Sequence, residues 1–233
     1  ISPILTMLIV APLAFFGNWV IYKALLMPLV RRAKNKGQLE VDSILATFGM
    51  SFALVGIMVS IHGEYFTYSY LAEPFEIVGE TFALNRIVAF CFAVLIGVAL
   101  WLWLFFTRPG MAMRAVSVST EASGLVGINV QRMSALAFAL GGAVTTMGGT
   151  LISTFITLDA SVGVIFTMKA LIIIIMGGVG DIRGAIVAAL ILGLVETTVA
   201  RLIDPGLTLA AAYAIFVLVL LFRPQGLFGR KPT

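Results

Sequence analysis

One short stretch of this sequence matches a catalytic motif. Residues 178–181 read Gly-Val-Gly-Asp, the G-x-G-D pattern that carries one catalytic aspartate in intramembrane aspartyl proteases. That chemistry requires a second carboxylate close enough to share one proton. The second aspartate should follow a tyrosine, but Asp42 and Asp159 do not, and the expected Pro-Ala-Leu sequence is missing. The residues therefore do not favour proteolysis, which is kept only as an alternative from a different functional class.

Other catalytic chemistries lack the residues that they need. The sequence has one cysteine and one histidine, Cys91 and His62, and neither has a neighbour at metal-ligand spacing. No G-x-x-x-x-G-K-[ST] motif is present to hold ATP phosphates. These residues therefore predict no metal site, no Cys–His catalysis and no ATP site of the usual kind in this chain.

Two ionisable residues lie inside apolar runs of the sequence. Lys169 is the single charge of residues 160–179, and Glu196 lies within residues 184–200. Charges inside membrane-spanning segments are costly and mark helix contacts or transport pathways. Lys169 is deep enough for either role, whereas Glu196 is near a run end and could extend to the membrane surface. A secondary carrier would usually place several such residues at mid-membrane.

The composition identifies the environment of these runs. Of 233 residues, 61% are hydrophobic and 11% are charged, whereas soluble domains have about 45–50% apolar and about 25% charged residues. Seven apolar runs can be counted: residues 4–22, 44–61, 87–106, 133–152, 160–179, 184–200 and 206–222. The sequence predicts an all-α membrane protein, a polytopic bundle of about seven transmembrane helices that forms a single domain over residues 1–233.

Charged residues alternate between the connecting loops. Basic residues dominate residues 31–36, residues 108–132 and the tail after residue 222, whereas acidic residues dominate residues 62–86. The positive-inside rule then predicts that the basic loops and the C-terminus are cytoplasmic. The chain starts Ile-Ser-Pro on the predicted outer side, so we expect at least one further span upstream. No basic stripe with interleaved aromatic residues indicates nucleic-acid binding.

Glycine clusters interrupt two of the helical patterns. Residues 176–185 contain Gly177, Gly178, Gly180 and Gly184, with Asp181 between them. Such clusters permit positive φ and close helix approach, and they occur in the broken helices of transporters. A tight surface turn and a break at membrane depth both remain open. Four glycines in the run 133–152 predict a face for close helix packing: Gly141, Gly142, Gly148 and Gly149.

Small, polar and charged residues fill the predicted cytoplasmic loop at 107–131. They predict one or two short helices that end at Gly127. A surface loop and a docking element for a soluble partner are both compatible with this composition.

These stretches together resemble one known family, the permease subunits of ABC importers for branched-chain amino acids. Residues 108–115 are similar to its Thr-Arg-x-Gly-x-Ala-Met-Arg-Ala segment, and residues 121–129 are similar to its importer loop. Residues 168–196 and 222–229 match further blocks of the family. Ser123 departs from the general importer pattern, in which a second alanine follows Glu121 and Ala122.

The resemblance implies a bacterial inner-membrane importer with several subunits, in which this chain holds no cofactor and is not itself an enzyme. A second permease, identical or homologous, would pair with this chain, two ATPase subunits would carry ATP and Mg, and a periplasmic binding protein would deliver the amino acid. The implied ATPase-coupling residues are Arg108, Gly110, Arg114, Glu121, Ala122, Ser123 and Gly127. The implied pathway candidates are Lys169, Gly177, Gly178, Gly180, Asp181, Gly184 and Glu196. Permeases for urea or short-chain amides are the alternative within the transport class, and a scaffold subunit is another outside it.

Overall fold

A computed structural model describes residues 3–32, 35–63, 65–66, 74–77, 80–223 and 225–228. The chain divides into two compact units, residues 1–160 (the first unit) and 161–233 (the second unit). Lys34, Glu64, Glu73, Arg230 and Lys231, which carry part of the predicted charge asymmetry, lie outside the described residues.

The first unit is helical, with short strands near one end. Its elements are α1 (Pro3–Ile21), a π-helical turn (Tyr22–Leu26), α2 (Met27–Arg32), α3 (Lys36–His62), β1 (Tyr65–Phe66), β2 (Pro74–Ile77), β3 (Glu80–Ala83), α4 (Leu84–Phe106), α5 (Arg108–Val118), α6 (Thr120–Leu125), α7 (Val130–Ile152) and β4 (Leu158–Asp159). β2 and β3 form a hairpin, and β1 pairs with β4. The all-α prediction thus holds apart from two small two-stranded ladders, which the sequence did not indicate.

The first helix continues well beyond the predicted apolar run, through the π-helical turn to Arg32. In that turn the backbone N–H of Met27 donates to the carbonyl of Tyr22, five residues earlier. Pro28 follows at once and cannot donate to the carbonyl of Ala24, and its ring would crowd that carbonyl in a regular α-helix. A widened turn accommodates the proline without ending the helix.

α1 packs mainly against α7, and the two helices are antiparallel. The contacts run in reverse order, from Asn18 against Gly142 to the Tyr22 ring, 5.7 Å from the Phe138 ring centroid to centroid. The buried residues of α7 are small ones at four-residue spacing, Ala135, Ala139 and Ala143, followed by Leu151. Small side chains at this spacing let two helix backbones approach closely.

Contacts at the ends of the first unit agree with the predicted alternation of loops. Tyr65 pairs with Asp159, and Phe66 pairs with Leu158, so the loop after α3 and the loop after α7 lie at the same end. Asn85 at the start of α4 also donates to the carbonyl of Thr154, at 3.3 Å. Two helices, α4 and α7, separate these loops, as two crossings of a membrane require.

The second unit is a three-helix bundle. It contains α8 (Val162–Gly177), α9 (Ile182–Leu202), a 3₁₀ turn (Pro205–Leu207) and α10 (Thr208–Phe222). Its core consists of five buried residues contributed by all three helices: Ile172, Met176, Ala188, Leu192 and Ala212. The core is narrow because most of the remaining apolar side chains of these helices face outward.

The apolar exterior indicates a lipid environment. Helices form at all seven predicted runs, and six helices of the described residues are long and apolar enough to cross a membrane. In α3 and α4 none of the apolar window is buried, which would be very unfavourable in water. α8 has only 16 residues, about 24 Å at ~1.5 Å per residue, and this is less than the roughly 30 Å of a hydrocarbon core.

Candidate functional site

The predicted coupling loop folds as two short helices, α5 and α6, braced against the first unit. The Thr107 side chain caps α5 by accepting from the backbone N–H of Gly110 at 3.2 Å. α5 packs against α4 and α7. A Cβ at Gly110 would lie 2.6 Å from the Cα of Leu104 and from the carbonyl oxygen of Trp103. Glycine is therefore required here because α5 and α4 meet backbone to backbone.

The two arginines of this loop have different environments. The Arg114 guanidinium lies 3.9 Å from the centre of the Phe105 ring, a stabilising cation–π contact. This contact directs Arg114 back toward α4. Arg108, at the first turn of α5, is exposed. Of the two predicted arginines, Arg108 is exposed and Arg114 is partly buried against Phe105.

α6 is held in the same way and ends where the sequence predicts. The Ser119 hydroxyl caps α6 by accepting from the N–H of Ala122 at 3.2 Å, and Ser123 is 3% exposed. Gly127 has φ 81°, a conformation that other residues rarely adopt. The Asn129 side chain then accepts from the N–H of Arg132 at 3.0 Å and starts α7. Ser123 and Gly127 therefore shape the loop.

An exposed apolar tip lies between α5 and α7. Val118 is 82% exposed, Leu125 is 90% exposed and Val126 is 75% exposed. The predicted residues Glu121 and Ala122 are exposed beside them. An exposed apolar patch of this kind is a candidate surface for binding a protein. Leu125 and Val126 were not among the predicted residues, although two apolar residues beside a glycine in a polar loop were a usable signal.

In the second unit, the glycine cluster forms a tight crossing between α8 and α9. A Cβ at Gly177 would lie 2.5 Å from the carbonyl carbon of Gly184, and a Cβ at Gly184 would overlap the carbonyl of Gly177. Both glycines are buried. The close helix approach predicted for this cluster is therefore made by Gly177 and Gly184.

The turn itself needs the other two glycines. Gly178 has φ 101° and Gly180 has φ 89°, so both use backbone that favours glycine. The Asp181 carboxylate caps α9 by accepting from the N–H groups of Arg183, at 2.9 Å, and Gly184, at 3.2 Å. These contacts give Asp181 a structural role at a helix start.

The chain returns to this crossing after α10. The backbone N–H of Leu227 donates to the carbonyl of Met176 at 2.8 Å, and that of Phe228 donates to the carbonyl of Gly177 at 3.2 Å. Two carbonyls at the end of α8 are thereby satisfied. A Cβ at Gly226, where φ is 81°, would lie 2.6 Å from the Gly178 nitrogen. Residues 222–229 resemble a block of the family, but the sequence did not predict their contact with the end of α8.

The two charges within the apolar runs form an ion pair. Lys169 Nζ lies 2.8 Å from Glu196 Oε2, and the side chains are 25% and 18% exposed. The other carboxylate oxygen of Glu196 is buried and has no hydrogen-bond partner among the described atoms. Lys169 therefore contacts α9 through Glu196. A pathway role for either residue stays a prediction.

The predicted glycine face of α7 is only partly used within the chain. A Cβ at Gly142 would overlap the side chain of Asn18, whereas one at Gly141, Gly148 or Gly149 would meet no described atom within 4 Å. Close packing within the first unit thus involves Gly142 and the alanine series of α7. A packing role for the other three glycines stays a prediction.

Comparison with known proteins gives the family of this chain. Its residues 4–222 match the family model described as branched-chain amino acid transport system, permease component. LivH of Escherichia coli K12, a high-affinity branched-chain amino acid transport system permease protein, is 33% identical over 133 residues, which are 57% of this chain and 43% of LivH. BraD of Pseudomonas aeruginosa, which has the same description, is 30% identical over 153 residues, 65% of this chain and 50% of BraD.

A sugar permease is also similar. The ribose import permease protein RbsC of Haemophilus influenzae is 25% identical over 202 residues, which are 82% of this chain and 62% of RbsC. No solved structure matches the chain. The chain spans about half the length of LivH and BraD. Because the family model covers nearly all of the residues and the helices have the lengths and the apolar exterior of membrane spans, the chain is a multi-pass membrane protein of the branched-chain amino acid transport permease family.

Proposed function

We propose that the chain is the membrane-spanning part of an ATP-driven importer for branched-chain or other hydrophobic amino acids in a bacterial inner membrane. The observation that carries this proposal is the braced loop α5–α6 with its exposed apolar tip, in a chain of this permease family. Bond chemistry is not assigned to this chain. ATP is hydrolysed, in this proposal, on two separate ATPase subunits.

The packing of the loop suggests how force reaches the membrane helices. Gly110 places α5 in backbone contact with α4, and Arg114 ties the same helix to Phe105. Closely packed contacts transmit displacement because interiors have low compressibility. An ATPase that moves the tip at Leu125 would therefore move the ends of α4 and α7, and alternating access would follow from the displacement of these helices.

The exposed apolar surface of the helices supports the proposal of further partners. A second permease, identical or homologous, would cover part of the exposed faces of α3, α4 and α7, and lipid would cover the rest. A periplasmic binding protein would deliver the substrate at the end opposite to α5–α6. With the loop on the cytoplasmic side, the C-terminus is cytoplasmic as well.

The substrate class is proposed from the descriptions of LivH and BraD. Because the match to a ribose import permease extends over more of the chain at lower identity, ribose has to be tested beside leucine. Urea and short-chain amides, the alternative within the transport class, need the same test. Uptake of labelled leucine, valine, ribose and urea by cells that express the full permease with its flanking genes would identify the substrate. Leucine uptake is expected, and uptake of only ribose or urea would contradict the proposed substrate class.

The coupling role is tested at the exposed tip. We expect Leu125→Asp and Glu121→Lys to abolish ATPase binding and uptake while the protein is still inserted, because neither exposed side chain supports the fold. Leu202→Asp is the matched control, since Leu202 is a similarly exposed apolar residue, 77% exposed, at the end of α9. ATPase copurification and uptake would be measured for all three variants. Normal ATPase binding by Leu125→Asp and Glu121→Lys would refute the assignment.

A further inference from the structure

A cavity of about 460 Å³ lies between the first helix and the start of α7. Two cations line it, Lys23 from the π-helical turn and Arg132 from the first turn of α7. Trp19, Tyr22, Asn129 and Gln131 add aromatic and polar groups to its wall. The volume lies within the roughly 300–1,000 Å³ of small-molecule sites. The family resemblance assigns nothing to this cavity.

The two cations of the cavity have no anionic partner within the described part of the chain. The only salt bridge among those residues joins Lys169 and Glu196, in the second unit. The Lys23 ammonium lies 3.7 Å from the centre of the Trp19 ring, a contact that orients the side chain without neutralising its charge. Two unneutralised cations in one partly enclosed space favour an anion.

The position of the cavity along the helix indicates which kind of anion it would bind. The helix from Leu5 to Arg32 has 28 residues, about 42 Å at ~1.5 Å per residue, while the hydrocarbon core measures roughly 30 Å. Residues 5–22 carry no charge, so the excess of about 12 Å extends beyond the core at the end that contains Arg32. Lys23 is nine residues before Arg32, about 13 Å along the axis, and therefore lies at the level where hydrocarbon meets headgroups.

We propose that this cavity binds the phosphate of an anionic phospholipid headgroup, such as that of phosphatidylglycerol. Lys23 and Arg132 neutralise the phosphate, Asn129 and Gln131 donate or accept hydrogen bonds at the polar headgroup, and Trp19 lies at the interface, where aromatic side chains are enriched. Basic pockets between transmembrane helices at this depth suit anionic headgroups. The acyl chains then lie against the apolar outer face of the first helix, where Leu13 and Phe16 are 65% and 62% exposed.

The test uses the full-length permease that contains this chain, delipidated in detergent and titrated with phosphatidylglycerol or phosphatidylcholine in native mass spectrometry. A cation that contacts the bound headgroup is expected to contribute about fivefold to binding of an anionic lipid. Lys23→Gln/Arg132→Gln is therefore expected to lose roughly 25-fold in affinity for phosphatidylglycerol and to bind phosphatidylcholine as before. The matched control is Arg31→Gln/Arg32→Gln, which removes two charges from the same helix end outside the cavity and should change the affinity by less than about twofold.

Three results would overturn the proposal. The first is an affinity of the cavity variant for phosphatidylglycerol equal to that of the unsubstituted protein. The second is a loss of affinity in the control variant as large as in the cavity variant, which would indicate diffuse attraction. Displacement of the lipid by millimolar inorganic phosphate or by leucine would assign the cavity to a small anion or to a transported molecule instead. If the double variant is not recovered folded, Arg132→Gln alone, at an exposed position, gives the same comparison with an expected loss of about fivefold.

Discussion

The crossing of α8 and α9 predicts that two alanine substitutions in one helix have opposite effects on stability. In Gly184→Ala the new methyl group would overlap the carbonyl of Gly177 and lie 2.8 Å from its carbonyl carbon. In Gly193→Ala, also in α9, the methyl group would meet nothing within 4 Å in the part of the chain that the structure describes. Both substitutions add the same side chain to the same helix, so a difference between them reports the crossing alone.

The magnitudes follow from this geometry. Carbon atoms pack best at about 3.5–4.0 Å, so Gly184→Ala must separate the two helices by roughly 1 Å, and overpacking of this kind costs about 1–3 kcal/mol. Replacing glycine by alanine in a helix gains about 0.8–1 kcal/mol, which Gly193→Ala keeps in full. We expect Gly184→Ala to be less stable than Gly193→Ala by about 1–3 kcal/mol.

Thermal unfolding of the detergent-solubilised protein, followed by far-UV circular dichroism, measures this difference. For a chain of this size 1 kcal/mol shifts the unfolding midpoint by about 2–4 °C, so the midpoints of the two variants should differ by roughly 2–12 °C. The unsubstituted protein should unfold about 2–4 °C below Gly193→Ala and at or above the midpoint of Gly184→Ala. A Gly184→Ala variant that unfolds at or above the Gly193→Ala midpoint would refute the backbone contact at Gly177.

Three further predictions concern the second unit. Lys169→Met should lower stability by about 2–4 kcal/mol because it leaves the Glu196 carboxylate unpaired, and Lys169→Met/Glu196→Gln should recover most of this loss; chemical denaturation measures both, and a double variant as unstable as the single one would contradict the ion-pair argument. Val in place of Gly178 or Gly180 should block uptake without preventing complex assembly, since both positions use positive φ; normal uptake would leave only a surface-turn role. Val179→Cys, at an 83% exposed position, should react with an impermeant thiol reagent from the cytoplasmic side and become protected when nucleotide binds, and labelling from the other side would contradict the proposed orientation.

The helices could be predicted from the sequence because apolar runs report burial in lipid directly. Their ends could not be predicted as well. The first helix extends ten residues past the predicted end at Tyr22, to Arg32, and α3 begins at Lys36, eight residues before Ile44. The extension of the first helix starts at Lys23 and ends at Arg31 and Arg32, and the extension of α3, residues 36–43, is mostly polar. Charged and polar residues therefore end the apolar runs although the helical hydrogen bonds continue. α8 is shorter than its run because Gly178, at φ 101°, ends it.

The partners of the candidate residues were mostly beyond sequence reasoning. Lys169 and Glu196 were recognised singly, and their opposite charges in consecutive runs joined by a short turn were an unused signal of pairing. The contact of Asn18 with Gly142 and the return of Leu227 to Met176 join residues far apart in the chain. Local periodicity contains no information about such pairs, so only the folded structure could provide them.

The predicted coupling motif combines residues with two different tasks. Gly110, Arg114 and Ser123 are buried in or contact the first unit and hold α5 and α6 in place. Glu121 and Leu125 face outward, where a partner could bind them. Substitution of the first group should weaken the fold and coupling together, whereas substitution of the second should remove coupling from a protein of normal stability. The distinction matters because loss of transport alone cannot separate a damaged loop from a lost contact, and only stability measured beside uptake distinguishes the two.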